Sequence, residues 1–320
     1  MDRVYCNIEN VCAITWSFTN KCNFACSYCP DHLHNGTVGF PDYDYALQFV
    51  TEVAKHHDHV HIELLGGEPT LWPKLILFLT ELKQYPNIVI ELSTNGGRTT
   101  NWWKKYCKAD LHLNTLLGLS YHAAWCDPDL FYNNLAVLSE KHNVVANFMV
   151  DPAHFSKTYD LFMKVRDTLA VDCLFKVLRD QFHPSKLIDG YTDEMLDVIK
   201  NVPERNLYDR RQYIKSADKI QWPTKIIVNG ERRNFQQMVI AGEHTFKGWK
   251  CGAGSKRFYI DFAGDVWPCT TIPHQVENKE IYRLGNINNK DIKILTDYIV
   301  CPVQYCPCKL DAVIDKFKED

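Results

Sequence analysis

The sequence predicts an α/β fold built on a parallel sheet and followed by a smaller, hairpin-rich unit. Strand-like and helix-like segments alternate six times between about residues 10 and 202. Parallel strands need crossover connections, and the connecting helices then cover the sheet. From about residue 203 the alternation ends, and Asn229-Gly230 sits between two short apolar runs as expected for a hairpin turn. Six β–α units are too few to close an eight-stranded barrel.

Each element follows from the local residue pattern. Apolar, β-branched runs indicate strands at 13–18, 61–65 and 88–92, a strand ending at 119–122, and strands at 144–150 and 173–178. Apolar residues at helical spacing indicate helices at 43–56, 71–85, 102–107, 127–141, 159–169 and 193–201. Asp127 is suited to cap the fourth of these helices, because Pro128 then occupies the first helical position, where proline is tolerated.

Three cysteines, Cys22, Cys26 and Cys29, lie in the loop after the first predicted strand. A loop this short can place three thiolates on one face of a four-iron cluster and leave one iron without a protein ligand. A structural zinc site is normally closed by four ligands. Two other interpretations are unrelated buried cysteines, since free cysteine packs as a small hydrophobe, and part of a zinc site.

The spacing of these cysteines, with Tyr28 just before the last, resembles the signature of the radical S-adenosylmethionine (SAM) enzymes. The resemblance implies that the open iron binds SAM and that an electron splits SAM into methionine and a 5′-deoxyadenosyl radical, which abstracts hydrogen from a substrate. It also implies a partial (β/α)6 TIM-like barrel with the functional groups at the carboxyl ends of the strands. Tyr28 is then expected to lie against the adenine.

Further segments at predicted strand ends fit the same resemblance. Gly66-Gly67-Glu68-Pro69 is similar to the family motif that holds the amino group of SAM, and the segment 93–96 is similar to its ribose- and carboxylate-contacting strand end. Ser120 and His122 end another strand, and they are equally well explained as satisfied polar groups at a barrel rim. The expected cofactor-binding residues are Tyr28, Gly66, Gly67, Glu68, Pro69, Ser93, Asn95 and Ser120.

A second group of cysteines lies near the C-terminus. The spacing from Cys251 through Gly264 to Cys269 resembles the start of the SPASM and twitch auxiliary-cluster domains. Only three more cysteines follow, fewer than in the full SPASM pattern, so we expect one auxiliary iron–sulfur cluster, with four irons. Four of the five cysteines could bind it, or three could bind while one iron stays open; a tetrathiolate zinc site is the alternative. The candidate ligands are Cys251, Cys269, Cys301, Cys306 and Cys308.

Composition limits the functional classes. With 36 basic and 39 acidic residues the net charge is −3, which gives no broad electrostatic footprint for nucleic acid. No apolar run reaches the length that spans a bilayer, and the N-terminus lacks the apolar core of a signal peptide. Thirteen cysteines without an export signal fit metal ligands in a reducing compartment. We therefore expect a cytoplasmic enzyme that does not act on nucleic acid or membranes.

The expected domains are a radical SAM barrel at 1–204, a connecting segment with a hairpin at 205–250, and an auxiliary-cluster domain at 251–320. The resemblance implies an external electron donor such as flavodoxin or ferredoxin. An auxiliary cluster suits a two-electron oxidation, and only 21 residues precede Cys22, too few for a peptide-recognition domain. We therefore expect a small sugar- or nucleotide-like substrate, contacted by Lys176, Arg179 or His122. A maturase of a ribosomal peptide and, less well supported, a non-catalytic sensor or electron-transfer protein are the alternatives.

Overall fold

The computed structural model describes most of the barrel and of the C-terminal region. The described residues are 3–5, 11–109, 111, 115–178, 187–201, 226–228, 231–233, 238, 243–289, 291–306, 308–312 and 314–319. Arg179, the expected turn Asn229-Gly230 and most of the expected connecting segment lie outside these residues. No helix of the described residues is both long and apolar enough to cross a membrane.

Strands and helices alternate through the first two thirds of the chain. The strands are β1 (Arg3–Tyr5), β2 (Val11–Ser17), β3 (His59–Leu65), β4 (Ile88–Thr94), β5 (Thr115–His122), β6 (Asn143–Val150) and β7 (Asp172–Val177). The helices are α1 (Tyr43–His56), α2 (Leu75–Glu81), α3 (Thr100–Lys108), α4 (Pro128–Ser139), α5 (Phe155–Thr168) and α6 (Asp193–Asn201). Asp127 caps α4 through its side chain, as expected.

Two predicted helix starts are wrong by four residues. The helix expected from Tyr159 begins at Phe155. The helix expected from Leu71 begins only at Leu75, after a short 3₁₀ turn over Pro69–Leu71. Pro73 disfavours the helical conformation in the residue before it, and Trp72 is accordingly extended, with φ −68° and ψ 117°. The helix therefore starts on the far side of the proline.

The C-terminal region consists of short strands and two short helices. The strands are β8 (Ile226–Val228), β9 (Glu231–Arg233), β10 (Lys250–Cys251), β11 (Arg257–Ile260), β12 (Asp265–Trp267), β13 (Gly285–Asn286), β14 (Ile299–Val300) and β15 (Lys316–Phe317), and the helices are α7 (Ile272–Gln275) and α8 (Lys309–Ala312). Strands β8 and β9 pair antiparallel as expected for the first hairpin, and β11 and β12 pair antiparallel in a second one. Gly264, with φ +84°, supplies the left-handed residue of the second turn.

Two sheets organise the chain. The larger has nine strands in the order β13-β12-β11-β2-β3-β4-β5-β6-β7, in which β11 and β2 to β7 are parallel. It is open, with β13 and β7 as its edges, and it confirms the α/β partial-barrel prediction. The smaller sheet has the order β14-β10-β15-β1-β8-β9. The N-terminal strand β1 thus pairs with β8 and β15, and the hairpin strand β11 extends the barrel sheet.

The two faces of the large sheet differ in chemistry. Alternate residues such as Ile14, Ile62 and Ile90 are fully buried in the main apolar core together with residues of the helices. The intervening positions carry polar groups, including Thr15, Glu63 and others on neighbouring strands. Because side chains of a strand alternate between faces, the helix-facing side is apolar and the inner face is polar. This inner face ends at the candidate site.

Candidate functional site

The two glycines after β3 make room for the start of the cysteine loop. The Gly67 amide donates to the Thr19 carbonyl at 2.6 Å, and the next amide donates to the Lys21 carbonyl at 2.7 Å. A Cβ on Gly66 would lie 2.5 Å from the Thr19 oxygen, and one on Gly67 would collide with the Lys21 carbonyl. Since backbone cannot move aside cheaply, only glycine allows this approach. The glycines therefore fix the residues immediately before Cys22.

The N-terminal thiols, which are Cys22, Cys26 and Cys29, lie in one loop at the carboxyl end of β2. Cys22 Sγ accepts from the Phe24 amide at 3.4 Å. Burial raises the pKa of all three thiols, that of Cys26 to about 11. The pKa of Cys26 is raised further because negative charge on Cys22 and Cys29 would repel a Cys26 thiolate. A shared cation would relieve this repulsion, because cluster ligation deprotonates the thiols and neutralises their charge. The donor chemistry of the loop thus fits an iron–sulfur cluster with three thiolate ligands.

Asn95 and Glu68 connect this loop with the ends of β3 and β4. Asn95 Nδ2 donates to Asn23 Oδ1 at 2.9 Å and lies 3.7 Å from Cys22 Sγ. The backbone amide of Asn95 donates to Glu68 Oε2 at 2.7 Å, and Thr94 Oγ1 donates to Glu68 Oε1 at 2.7 Å. The fully buried Glu68 carboxylate also accepts from the amide and hydroxyl of Thr70. Burial raises its pKa, and these donors offset part of that cost.

Tyr28 and His122 form a pair beside Cys26. Their hydroxyl oxygen and Nδ1 lie 2.6 Å apart, and the two rings are nearly parallel, with centroids 5.9 Å apart. Cys26 Sγ lies 3.5 Å from the same Nδ1. Burial lowers the pKa of His122 to about 4 and raises the pKa of Tyr28. Both side chains are therefore neutral near pH 7, and they hold each other at the edge of the cysteine loop.

The other expected site residues lie along the inner face of the sheet. Ser93 is opposite Gly118 and Ser120 is opposite Asn147 in the strand register, and both serines are half-buried. His122, Met149 and Lys176 form one cross-strand row, and Lys176 at its end is exposed. The structure thus brings Lys176 to the same rim as His122. Arg179 lies outside the described residues.

The C-terminal thiols, which are Cys251, Cys269, Cys301 and Cys306, share a second apolar core. All four are buried, and Cys251 is an electrostatic neighbour of each of the others. Burial raises the pKa of Cys269, Cys301 and Cys306, that of Cys301 to about 11. Four converging thiols are the donor set of a cluster with complete protein ligation.

Cys308, the fifth candidate ligand, faces a different neighbour. Its Sγ lies 3.9 Å from Nη2 of Arg257, and the charges nearest to it are those of Asp311 and Arg257. It is half-buried rather than buried. Cys308 thus differs from the C-terminal thiols in its contact with Arg257, and which of the five cysteines bind the cluster stays a prediction.

Arg257 joins the C-terminal region to the barrel. It is fully buried on β11, and its Nε donates to Asp311 Oδ1 at 2.7 Å. Its Nη2 donates to Thr15 Oγ1 at 2.9 Å, and Thr15 in turn donates to Glu63 at 2.9 Å. Our sequence analysis missed Arg257. The sequence feature that could have indicated it is a charged residue at the start of the apolar run between Cys251 and Cys269.

The two thiol groups meet the needs of clusters rather than those of a single ion. Across the described residues, no three or more His, Cys, Asp or Glu side chains form a group that could hold one metal ion. A four-iron cluster makes a different demand, because each thiolate binds its own iron. Both groups supply soft sulfur donors, which iron–sulfur clusters use.

Comparison with known families matches two parts of the chain. Residues 16–124 match the radical SAM superfamily, and residues 251–297 match SPASM, an iron–sulfur cluster-binding domain. The second match favours an iron–sulfur cluster over zinc at the C-terminal thiols. None of the curated proteins compared with the chain matches it.

Several solved structures share the fold, including the following two. One, described as native anSMEcpe with bound AdoMet and Kp18Cys peptide, is 18% identical with a TM-score of 0.53, over 88% of this chain and 78% of that chain. The other, Streptococcus suis SuiB bound to S-adenosylmethionine, is 14% identical with a TM-score of 0.55, over 89% of this chain and 65% of that chain. At these identities the likeness shows the fold alone.

Proposed function

This chain is a radical SAM protein with a C-terminal SPASM domain, and we propose that it oxidises a polar substrate by two electrons. Its cofactors are a four-iron cluster, SAM and an auxiliary iron–sulfur cluster. When bound, these groups supply a 5′-deoxyadenosyl radical that takes a hydrogen atom, and an acceptor for the electron that the substrate then gives up as its proton leaves to solvent. The observation that carries the proposal is the presence of two separate thiol groups, one after β2 and the other including Cys269, which follows a hairpin of the same sheet.

The residues of the first site act by binding and orientation. The N-terminal thiols hold the SAM cluster, and the Gly66-Gly67 contact fixes their loop on the end of β3. Glu68 orients Asn95 through its backbone amide and thereby places the Asn95 side chain beside Cys22. Tyr28, held by His122, presents its ring at the loop edge, where it can stack on an adenine.

The C-terminal thiols hold the auxiliary cluster. Cys251 lies on β10, and Cys301 follows β14, which pairs with β10, so these two ligands share one sheet. Cys269 follows the hairpin that extends the barrel sheet. The second cluster is in this way tied to the first through hydrogen-bonded strands, as a role in the same reaction requires. The radical SAM barrel, the connecting hairpin and the auxiliary domain are proposed to divide near residues 204 and 250.

The inner face of the barrel favours a polar small molecule as substrate. It carries Glu63, Ser93 and Asn147, and Lys176 and His122 lie at its rim. Such groups bind hydroxyl, amide or phosphate groups rather than an apolar chain. A peptide is the second candidate, because the anSMEcpe structure contains a bound peptide and SuiB has been solved with its precursor peptide.

The first test needs no substrate. Anaerobically purified protein, reduced and incubated with SAM, should form 5′-deoxyadenosine slowly and should contain about eight irons, from two four-iron clusters. Iron near half that value with stoichiometric zinc would remove the auxiliary cluster from the proposal. An absence of 5′-deoxyadenosine from fully loaded protein would favour a sensor or electron-transfer protein.

The second test addresses the oxidation. A panel of sugar alcohols and nucleotide sugars, and in parallel a panel of short peptides, is assayed for faster 5′-deoxyadenosine formation and for products that have lost two hydrogens. Cys251→Ala with Cys269→Ala should still cleave SAM but yield no oxidised product, whereas the control Cys107→Ala, a half-buried cysteine on α3, should behave as wild type. Normal product yield in a folded double variant would make the second cluster a structural element and would refute the oxidation.

A further inference from the structure

Lys316 is a buried cation whose side-chain hydrogen bonds, within the described residues, go to backbone carbonyls. Its side chain is 1% exposed, and its Nζ donates to the backbone carbonyls of Asp311, Ala312 and Ile314, the last at 3.0 Å. An ammonium group has three N–H donors, whereas a neutral amine has two. Three carbonyl acceptors around Nζ therefore match the charged form, and dipoles of the backbone accept the hydrogen bonds of the Lys316 ammonium.

The sheet register places this charge at the C-terminal thiols. Lys316 on β15 is the direct antiparallel partner of Cys251 on β10. Directly opposite residues project from the same face of a sheet, with Cβ atoms about 4.5–5.5 Å apart. The ammonium is also an electrostatic neighbour of Cys301 and Cys306. On its other side it lies 5.2 Å from the centroid of the Phe246 ring, which keeps water away.

We propose that Lys316 is a tuning residue that raises the reduction potential of the auxiliary cluster held by the C-terminal thiols. The inference rests on the proposed function, which assigns a cluster to those thiols. Reduction adds one negative charge to a cluster, and a fixed cation nearby stabilises the reduced form more than the oxidised one. The effect is large where the surroundings are apolar, because little solvent screens the charge.

A raised reduction potential suits a cluster that accepts an electron. A buried cluster surrounded by four thiolates resists taking up a further electron, since burial disfavours added charge. Lys316 offsets this resistance and makes the auxiliary site a better acceptor for the electron of a substrate radical. Asp311 lies among the same groups and acts electrostatically on Lys316 and Cys269, while hydrogen bonds from Arg257 and two threonine hydroxyls offset part of its negative charge.

A purely structural role predicts something different. The carbonyls that Lys316 binds belong to the end of α8 and the residues just after it, so the side chain also caps this short helix. Lys316→Gln keeps hydrogen-bond donors for capping and removes the charge, whereas Lys316→Met removes both. Lys250→Met is the matched control, because Lys250 precedes Cys251 on the same strand, points to the opposite face and is partly exposed.

The experiment is an anaerobic redox titration of the loaded protein followed by electron paramagnetic resonance, with the SAM cluster as internal reference. At a fixed potential, both Lys316 variants should show a reduced-to-oxidised ratio of the auxiliary cluster at least about tenfold lower, which is ~59 mV for one electron. Lys250→Met should change this ratio by less than threefold. The reduction potential of the SAM cluster should be the same in every variant.

Three results would overturn the proposal. They are an unchanged auxiliary potential in Lys316→Gln, an equal shift in Lys250→Met, and loss of auxiliary iron from both Lys316 variants, which would make Lys316 a cap alone. Failure of the underlying proposed function has a different signature, since the wild-type protein would then lack a second cluster altogether. Iron analysis of the wild type separates the two cases before any variant is compared.

Discussion

Replacing Arg257 with methionine tests how much stability comes from a buried ion pair of the C-terminal region whose arginine also reaches the barrel strand β2. The guanidinium is fully buried, and its hydrogen bonds reach Asp311, Thr15 and Thr270 and two backbone carbonyls. Methionine fills part of the volume but leaves the Asp311 carboxylate buried without its cation. Removing one partner of a buried pair costs about 3–5 kcal/mol, because an uncompensated charge remains.

The remaining hydrogen bonds of Asp311 indicate where in this range the loss of stability lies. Asp311 keeps two hydrogen bonds in the variant, from the hydroxyls of Thr270 and Thr271 at 2.8 and 3.1 Å. The loss in the free energy of unfolding should therefore lie near the lower end, about 3 kcal/mol. Arg283→Met is the matched control, since Arg283 pairs with Asp265 on the surface, with a side chain 42% exposed. Exposed pairs contribute about 0–1 kcal/mol.

The assay is urea denaturation of anaerobically loaded protein, compared as differences between variants. Arg257→Met with Asp311→Leu should recover most of the lost stability, because it removes the orphaned carboxylate as well as the cation. If Arg257→Met were no more destabilising than Arg283→Met, or if the double variant were no better than the single one, an orphaned Asp311 charge would not be the cause of the lost stability.

Three further outcomes are expected. Gly67→Ala should reduce SAM cleavage strongly, because its Cβ collides with the Lys21 carbonyl, whereas Gly39→Ala, with open space around its Cβ, should not. Replacing all three N-terminal thiols by alanine should abolish 5′-deoxyadenosine formation and leave the auxiliary cluster signal intact, since separate segments bind the two clusters. Burial raises the pKa of those thiols, and ligation requires thiolates, so iron incorporation into the metal-free protein should rise between about pH 7 and about pH 9 and fall in acid. Incorporation that is flat with pH would contradict the protonated starting state.

The parts of the fold that could be predicted from the sequence are those with a local pattern. The six barrel strands have apolar, β-branched runs, and α4 has its cap and its proline in adjacent positions. The radical SAM and SPASM assignments depended on short spacings, Cys22 to Cys29 and Cys251 to Cys269, that can be measured along the chain. Patterns of this kind depend on few residues and can be recognised without knowledge of tertiary contacts.

The missed features depend on contacts between distant residues. Tyr259 and Ser17 share a hydrogen bond of 3.1 Å although 242 positions separate them, and no periodicity marks β11 as a partner of β2. The purpose of Gly66 and Gly67 was likewise hidden. The sequence indicated only a motif that holds the amino group of SAM, and the structure adds that these glycines admit the chain's own residues 19–21.

The pairing of β11 with β2 determines how the two thiol groups are related. Strand β2 leads directly into the loop of the N-terminal thiols, and β11 is the first strand of the hairpin that precedes Cys269. Hydrogen bonds from Arg257 to Thr15 and between Tyr259 and Ser17 lock this register on the inner face. A flexible tether would let the second site drift relative to the first, but strands of one sheet keep their spacing. An electron leaving a substrate radical at the barrel mouth would then meet an acceptor at a constant position, which is what a coupled oxidation requires and what a detached storage domain would not provide.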